Sequence, residues 1–274
     1  MQRTFSKTFT LLQHEADLAE GCLSVGLTAI RNATVNDKRN FYSGFFNTTI
    51  AFERIMKLIV VIDHMLYHNF QTPTKKELKA YGHDLVSLYK SSVAATNRKN
   101  IASITMPSQS SIEMEILCLL SEFAKFTRYY NLDSLSLKSS NDVDPLIGWE
   151  NIINKVIKED VPSKQLYKRL DAAEKIHDSI KDITITNLHG MGGEALTLLE
   201  ALSLPEKQSF AAPYLMVRVF NLLSPLINSL SELGTIGFYT RAPDGTGPHI
   251  PVFKETLVYF MADKSQIKKK KRWP

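Results

Sequence analysis

The chain has 274 residues, a net charge of +5, 44% hydrophobic residues and two cysteines. A chain of this length and apolar content can form a hydrophobic core without stabilising disulfides or metal ions. Two cysteines are too few for a disulfide scaffold or a Cys-rich zinc module. The five positive charges of Lys268, Lys269, Lys270, Lys271 and Arg272 equal the whole net charge. The remainder of the chain is therefore neutral, which excludes a histone-like polycation.

Hydropathy gives no sign of a membrane segment. The longest apolar run, Leu58–Ile62, is too short to cross a bilayer, and the N-terminal residues lack the apolar core of a signal peptide. We therefore expect a cytoplasmic protein with no membrane contact. No residue pattern predicts a metal site, and we expect the protein to need no cofactor.

Apolar residues at helical spacing predict four helices in the first half of the chain. The first covers about Leu11–Ile30, and the second runs from Phe41 to Leu66. A third follows Thr74–Glu77, which has the form of a capping box. A fourth begins at Ser110–Glu113, interpreted as another capping box, and its apolar stripe extends from Ile112 to Tyr130. Because this fourth helix is apolar nearly all round, we expect it at the centre of a bundle.

The middle of the chain contains a predicted linker followed by two helices. Residues 134–144 are rich in Ser, Asp and Asn, which indicates a connection between structural units. Asp144 and Pro145 then predict a helix start, with an N-cap followed by proline in the first turn. Helices are expected over Leu146–Lys158 and Ser163–Ile180. We expect a bundle domain over residues 1–135 and an extension over 136–274.

The last third of the sequence changes character. Alternation at Ile183–Ile185 predicts a short strand, and helices are expected over Glu194–Leu202 and Tyr214–Leu233. Strands at Ile236–Arg241 and Leu257–Met261, joined by the turn-rich residues 243–248, predict a β-hairpin. The expected fold class is therefore mainly α, a helical bundle with a small C-terminal β-hairpin.

Four short segments of the first half resemble the HEPN superfamily, the helical domains of prokaryotic toxins and antiviral defence systems. They are Ala51–Leu58, Pro73–Leu78, Tyr81–Leu85 and Arg128–Asp133, and the resemblance covers roughly residues 10–135. It implies a four- or five-helix bundle that commonly dimerises. In active members of that family, an R-x(4–6)-H motif at the dimer cleft cuts RNA without a metal. Histidine relays a proton and arginine stabilises charge on the phosphate.

The sequence departs from that motif. Arg128 corresponds to the family arginine, but Asp133, Ser134 and Leu135 occupy the positions where histidine is required. His83 is the histidine that can approach Arg128 in space, so Arg128 and His83 are the predicted catalytic pair. Both residues are also compatible with an ordinary solvated helix surface, which would leave a member without ribonuclease activity.

Several residues are predicted to bind nucleic acid. Lys76 and Lys79 share a basic helix face with His83, and Asn131 lies beside Arg128 and can, with Asp133, assist it. A compact run of cations gains affinity for phosphates by releasing counterions. We therefore assign a nucleic-acid contact to the tail formed by Lys268, Lys269, Lys270, Lys271 and Arg272.

A glycine-rich loop and a histidine-containing loop offer weaker alternative sites. Gly190–Ala195 matches the G-x-G-x-x-[GA] fingerprint of dinucleotide-binding proteins. The surrounding sequence, however, does not predict the alternating strands and helices that such a site requires. His249 shares a loop with Arg241 and Asp244, which turn chemistry alone can explain. The predicted function is an RNA-acting or RNA-binding protein of a prokaryotic defence or toxin system. The family resemblance implies a homodimer or a complex with a partner protein of that system. The alternative is a non-catalytic scaffold that binds partners through its dimer surface and basic tail.

Overall fold

The computed structural model describes residues 5–101, 104–135, 143–242, 245 and 247–274. These residues form ten α-helices and no β-strand, so the mainly α class is confirmed and the C-terminal hairpin is wrong. Three 3₁₀ turns cover Val35–Asp37, Thr127–Tyr129 and Val258–Phe260. The helices are α1 (Lys7–Asn32), α2 (Lys38–Tyr67), α3 (Lys75–Ala80), α4 (Leu85–Arg98), α5 (Ile112–Lys125), α6 (Tyr130–Asp133), α7 (Pro145–Asp160), α8 (Ser163–Ile180), α9 (Leu198–Tyr239) and α10 (Lys264–Lys269).

Helices α1 and α2 form a tightly packed antiparallel hairpin. Two glycines permit the close approach: a Cβ on Gly26 would lie 2.8 Å from the backbone nitrogen of Thr48, and one on Gly44 would lie 3.2 Å from that of Ile30. Any larger residue at either position would force the two helices apart. One side of α2 therefore packs against α1, and α4 and α5 pack against its other side.

Helix α4 runs parallel to the second half of α2. His83, just before α4, contacts Glu53 of α2, and Arg98 at the end of α4 contacts Asp63. Helix α5 runs in the opposite direction, because its last turns lie against the first residues of α4. There the backbone N–H of Leu85 donates to Ser121 Oγ at 2.9 Å.

Polar caps fix several helix starts. The capping box between Thr74 and Glu77 is confirmed, and Asp144 accepts a hydrogen bond from the backbone of Leu146 with Pro145 in the first turn, as predicted. The expected capping box at α5 is wrong by one residue. Ser111, rather than Ser110, caps this helix, since its hydroxyl accepts from the backbone N–H of Met114.

The last third is dominated by α9, a helix of 42 residues. Sequence reasoning divided it into two helices and a strand, because it contains Pro205, Pro213 and Pro225 and ends in glycines. Those glycines have a packing role: a Cβ on Gly234 would lie 2.7 Å from the carbonyl oxygen of Pro251, and one on Gly237 would lie within 2.6 Å of the Ile250 side chain. They let the following segment pack directly on the helix.

The other strand predictions also fail. Leu257–Met261 contains a 3₁₀ turn, and Ile183–Ile185 is irregular, with both isoleucines more than 80% exposed. Among the described residues, β-type pairing is limited to the single bridge between His189 and Ala195. The loop residues 243, 244 and 246 and the linker residues 136–142 lie outside the described residues.

One hydrophobic cluster contains residues from both halves of the sequence, including Phe45 and Phe123 from the first and Trp149, Phe220 and Phe253 from the second. The Phe45 and Trp149 rings meet edge to face at 5.1 Å. The domain division at residue 135 stays a prediction. Within the described part of the chain, α9 has the length and apolar composition of a membrane span, and 56% of that apolar window is buried inside the fold.

Candidate functional site

A cavity of about 500 Å³ lies between the C-terminal half of α2 and helix α4. Tyr81, the residue that follows α3, also lines it. The cavity is notable for its concentration of proton-transferring and charged groups, which are uncommon in a purely structural gap. Its polar lining residues are Asp63, His64, Tyr67, His68, Tyr81, Ser91 and Arg98.

Two histidines stack at the end of α2. The ring centroids of His64 and His68 are 4.0 Å apart, because residues four apart lie on the same face of a helix. Nδ1 of His68 lies 2.9 Å from the carbonyl oxygen of His64. A carbonyl oxygen only accepts, so Nδ1 must carry the proton. In the neutral ring this leaves Nε2 of His68 unprotonated and able to accept a proton.

A buried ion pair forms one wall of the cavity. Asp63 is 4% exposed, and Arg98 Nε donates to its Oδ2 at 3.1 Å. A second guanidinium nitrogen of Arg98 donates to the same oxygen, while Oδ1 of Asp63 is buried without a hydrogen-bond partner. A buried carboxylate needs a nearby cation. Asp63 therefore holds Arg98 in place, although about half of the Arg98 side chain stays open to solvent.

The backbone is strained where the chain leaves the cavity. Asn69 and Phe70 have φ angles of 51° and 65°, in the left-handed region that non-glycine residues rarely adopt. Such residues cost on the order of 1–3 kcal/mol each and cluster at functional sites. The Phe70 ring lies 5.7 Å from the His249 ring, so the C-terminal loop meets the end of α2 beside the histidines.

Positive charges outnumber negative ones when the cavity residues are counted together with α3 and the end of α4. Helix α3 contributes Lys75, Lys76 and Lys79, and Arg98 and Lys99 follow at the end of α4. The acidic groups are Asp63 inside the cavity and Glu77 at its edge. Seven ionic groups with a net charge of about +3 favour an anionic ligand.

Two pKa shifts describe the electrostatics of this edge. The pKa of Glu77 is lowered by hydrogen bonds from Thr74, with smaller contributions from His64 and His68. Glu77, and with it α3, is thus within electrostatic range of the two histidines. Burial raises the pKa of Tyr81, and the negative charges of Glu77 and Asp63 raise it further. Tyr81 consequently keeps its proton at neutral pH and can donate a hydrogen bond to a ligand in the cavity.

The structure does not bring the predicted pair Arg128 and His83 together within one chain. The Arg128 guanidinium lies 5.3 Å from the centre of the Phe46 ring and donates to the Ala124 carbonyl oxygen, whereas His83 Nδ1 lies 3.0 Å from Glu53. Phe46 and Glu53 are two turns apart, or about 10 Å along α2. A meeting of Arg128 and His83 across a dimer interface stays a prediction.

The predicted nucleic-acid-binding residues occupy three places. Lys76 and Lys79 are exposed on α3, next to the cavity. Asn131 donates to the Tyr42 hydroxyl at 3.1 Å, at the other end of α2. The tail lies along α9, with the ammonium of Lys268 4.1 Å from the centre of the Tyr214 ring. The other tail cations are Lys269, Lys270, Lys271 and Arg272, of which Lys270 is half-buried and the rest exposed.

An acidic side chain covers the glycine loop, which is unfavourable for a dinucleotide. A Cβ on Gly190 would lie 1.6 Å from a carboxylate oxygen of Glu194, so this acidic side chain covers the loop. The backbone N–H of Gly190 is bonded to the Glu194 carbonyl oxygen at 2.8 Å, and α9 begins only at Leu198. A pyrophosphate would meet a carboxylate here instead of a helix N-terminus.

Sequence reasoning missed His64, His68, Asp63 and Arg98. The signal within reach was the i,i+4 histidine pair at the end of a strongly predicted helix. The R-x(4–6)-H motif places its histidine shortly after its arginine in sequence, whereas Arg98 lies 30 residues after His68. Packing of α4 on α2, which no spacing rule encodes, brings the arginine to the histidines.

Comparison with known proteins identifies no relative. The chain matches no protein-family model, and no curated protein or solved structure is significantly similar to it. Function must therefore be argued from the chemistry of the cavity itself.

Proposed function

We propose that this protein binds RNA and cleaves it without a metal in the cavity at the end of α2. The single observation that carries the proposal is the convergence of two stacked histidines and an arginine in one cavity of about 500 Å³. Histidine is the residue best suited to proton transfer near neutral pH, and arginine is suited to binding phosphate. The surrounding lysines of α3 would attract the polyanion.

The proposed reaction uses the 2′-hydroxyl of the RNA as the nucleophile. Nε2 of neutral His68 takes the 2′-hydroxyl proton, and the 2′-oxygen attacks phosphorus. Protonated His64 gives its proton to the 5′-oxygen as the P–O5′ bond breaks. Arg98 stabilises the charge that develops on the phosphate oxygens. The products are a 2′,3′-cyclic phosphate and a 5′-hydroxyl.

The HEPN resemblance supports the same chemistry at different positions. It implies an arginine and a histidine in a helical bundle, whereas the cavity offers Arg98, His64 and His68 in place of Arg128 and His83. A role in a prokaryotic defence or toxin system is part of the proposal and rests on that resemblance alone.

The proposal is tested with fluorescently labelled single-stranded RNA in excess EDTA. The purified protein is expected to cleave RNA and to leave the DNA of the same sequence intact, because DNA has no 2′-hydroxyl. His68→Gln should slow cleavage by about 100-fold or more. The matched control is His14→Gln, which changes an exposed histidine on α1. Equal cleavage of RNA and DNA, or equal rates in the two variants, would refute the mechanism.

A scaffold function is the second candidate, and one surface favours it. Phe126, Tyr129 and Leu132 flank Arg128 and are 55%, 62% and 66% exposed. Exposed apolar groups that cluster in this way mark interaction sites. The partner proposed for this surface is a second copy of the chain. Tyr129→Ser should then lower the dimer fraction in sedimentation experiments, whereas Tyr239→Ser, at another exposed tyrosine, should not.

A further inference from the structure

A second polar groove lies near the other end of α2. Its volume is about 650 Å³, and it is bounded by the C-terminal half of α1, the first turns of α2 and the last three residues of the chain. None of its ten lining residues is Asp or Glu. The lining side chains that keep a hydrogen-bond donor for a ligand are those of Thr28, Asn40, Ser43 and Arg272. The Ser24 hydroxyl and the Asn32 amide donate to backbone carbonyl oxygens, and one N–H of Asn40 donates to Asp37.

The C-terminal segment is fixed against α1 by residues that also line the groove. Asn32 Nδ2 donates to the Lys271 carbonyl oxygen at 2.9 Å, and the backbone N–H of Trp273 donates to Thr28 Oγ1 at 3.0 Å. The Trp273 ring stacks on Phe220 with 5.9 Å between centroids and is 6% exposed. Its ring is therefore not free to stack on a nucleic-acid base. Arg272 lies between these two anchors and is held at the groove wall.

A buried arginine adjoins one of the groove residues in sequence. Arg31, next to Asn32, is 8% exposed, and its Nε has no hydrogen-bond partner. Burial lowers the pKa of Arg31, but a guanidinium remains protonated at neutral pH. No ion pair of Arg31 with a carboxylate occurs among the described residues. A buried cation that lacks a counter-ion favours an anion nearby.

We propose that this groove binds a phosphate group. The Arg272 guanidinium would form charge-assisted hydrogen bonds with two phosphate oxygens. The hydroxyls of Thr28 and Ser43 and the second N–H of the Asn40 amide supply neutral donors for the others. The positive potential of Arg31 and of the preceding lysines favours the anion over water.

The groove is a separate site and does not rest on the proposed cleavage reaction. Asn40 and His64 are 24 residues apart on α2, which corresponds to about 36 Å. One phosphate cannot contact both the groove and the cavity. The phosphate group can come from the 5′ end of an oligonucleotide or from a small phosphorylated molecule.

Intrinsic tryptophan fluorescence provides the test, because Trp273 lies in the groove wall. Titration of the full-length protein with inorganic phosphate should give a saturable change in the millimolar range. Arg272→Gln should weaken binding about tenfold, as expected for the loss of a charge-assisted bond. Lys264→Gln removes the same charge from α10 outside the groove and should change the affinity less than twofold. Circular dichroism confirms that both variants fold.

Two further titrations identify the source of the phosphate. A trinucleotide with a 5′-phosphate that binds tighter than its 5′-hydroxyl form identifies the oligonucleotide end. Inorganic phosphate that binds as tightly as the phosphorylated trinucleotide identifies a small phosphorylated molecule, and either result supports the site. Absence of saturable binding by all these probes, or an equal loss of affinity in both variants, would overturn the proposal. RNA cleavage by His68 is unaffected by this outcome, so the two proposals fail separately.

Discussion

The cavity at the end of α2 and the surface around Arg128 and His83 contain the same residue types in different arrangements. In the cavity, one arginine and two histidines line a single space of about 500 Å³. On the Arg128 surface, the arginine lies on Phe46 and the histidine contacts Glu53, about 10 Å apart along α2. A shared space, more than the presence of the residues, distinguishes a site that can transfer protons to a phosphate.

The two arginines also differ in what they stabilise. Arg98 neutralises the buried carboxylate of Asp63, while Arg128 contacts an aromatic ring and a backbone carbonyl. Removal of Arg98 leaves a buried charge without a partner, which is costly. Removal of Arg128 leaves only apolar and neutral groups. Substitution of each arginine should therefore lower the free energy of unfolding by a different amount in the two regions.

The largest effect is expected from Arg98→Met. This change should lower the free energy of unfolding by about 2–3 kcal/mol. Breaking a fully buried ion pair costs about 3–5 kcal/mol, and the smaller value is expected here because Arg98 is half exposed. Arg128→Met should cost less, about 1 kcal/mol, the value of a cation–π contact at a partly exposed site. Urea denaturation of both variants measures the difference.

The Asp63→Asn change provides the control for that comparison. If the cost of Arg98→Met arises from the unpaired carboxylate, the double variant Asp63→Asn with Arg98→Met should be more stable than Arg98→Met alone. A double variant that is less stable than Arg98→Met would show that the cost has another origin.

A smaller effect is expected at Asp84, which belongs to the His83 side of the comparison. Its side chain accepts from the backbone N–H of Ser87 at 3.0 Å and from Lys125 at 3.0 Å, so it caps α4 and ties α4 to α5. Asp84→Ala should lower the free energy of unfolding by about 1 kcal/mol. Asp84→Asn should recover most of this loss, because asparagine is an equally good cap. A loss of similar size in both variants would assign the effect to the Lys125 contact.

The smallest effect concerns Glu53 and pH. Burial tends to raise the pKa of Glu53, but hydrogen bonds from Lys57 and His83 outweigh it and lower the pKa below its ordinary value. A carboxyl group with a lowered pKa stabilises the folded state above about pH 4.5, and this contribution is lost as the pH falls through the folded-state pKa. Glu53→Gln should therefore reduce the acid-induced loss of stability by about 1 kcal/mol or less.

Urea denaturation of wild type and Glu53→Gln between pH 3 and pH 7 measures that difference. The two stability curves should converge toward low pH. Parallel curves over the whole range would show that the Glu53–His83 contact makes no pH-dependent contribution to stability. In that case Glu53 would not hold the His83 side chain in place.

Local patterns predicted the helices of the first half and failed mainly in the last third. Helix α8 has the predicted bounds, and α2 was recognised from its apolar stripe because its buried face follows the helical period. Helix α9 was divided because proline and glycine usually end helices. Here Gly234 and Gly237 belong to the helix and accept the Pro251 and Ile250 segment, a contact that only the tertiary structure creates.

The candidate site was less predictable than the fold. The His64–His68 pair is visible in the sequence. Asp63, by contrast, is a single polar residue within an apolar helix, and Arg98 is a basic residue in the last turn of a helix, so neither indicates a site by itself. Their ion pair depends on α4 running parallel to α2, and the tail anchor at Trp273 depends on its contact with Phe220. Neither arrangement follows from residue spacing along the chain.

The most direct test of the central claim is RNA cleavage measured side by side in His68→Gln and His83→Gln, with the metal chelated. If the cavity is the reaction site, His68→Gln reduces the single-turnover rate by about 100-fold or more, and His83→Gln stays within about threefold of wild type. The opposite order, with His83→Gln inactive and His68→Gln fully active, would contradict the account and return the activity to the Arg128 surface.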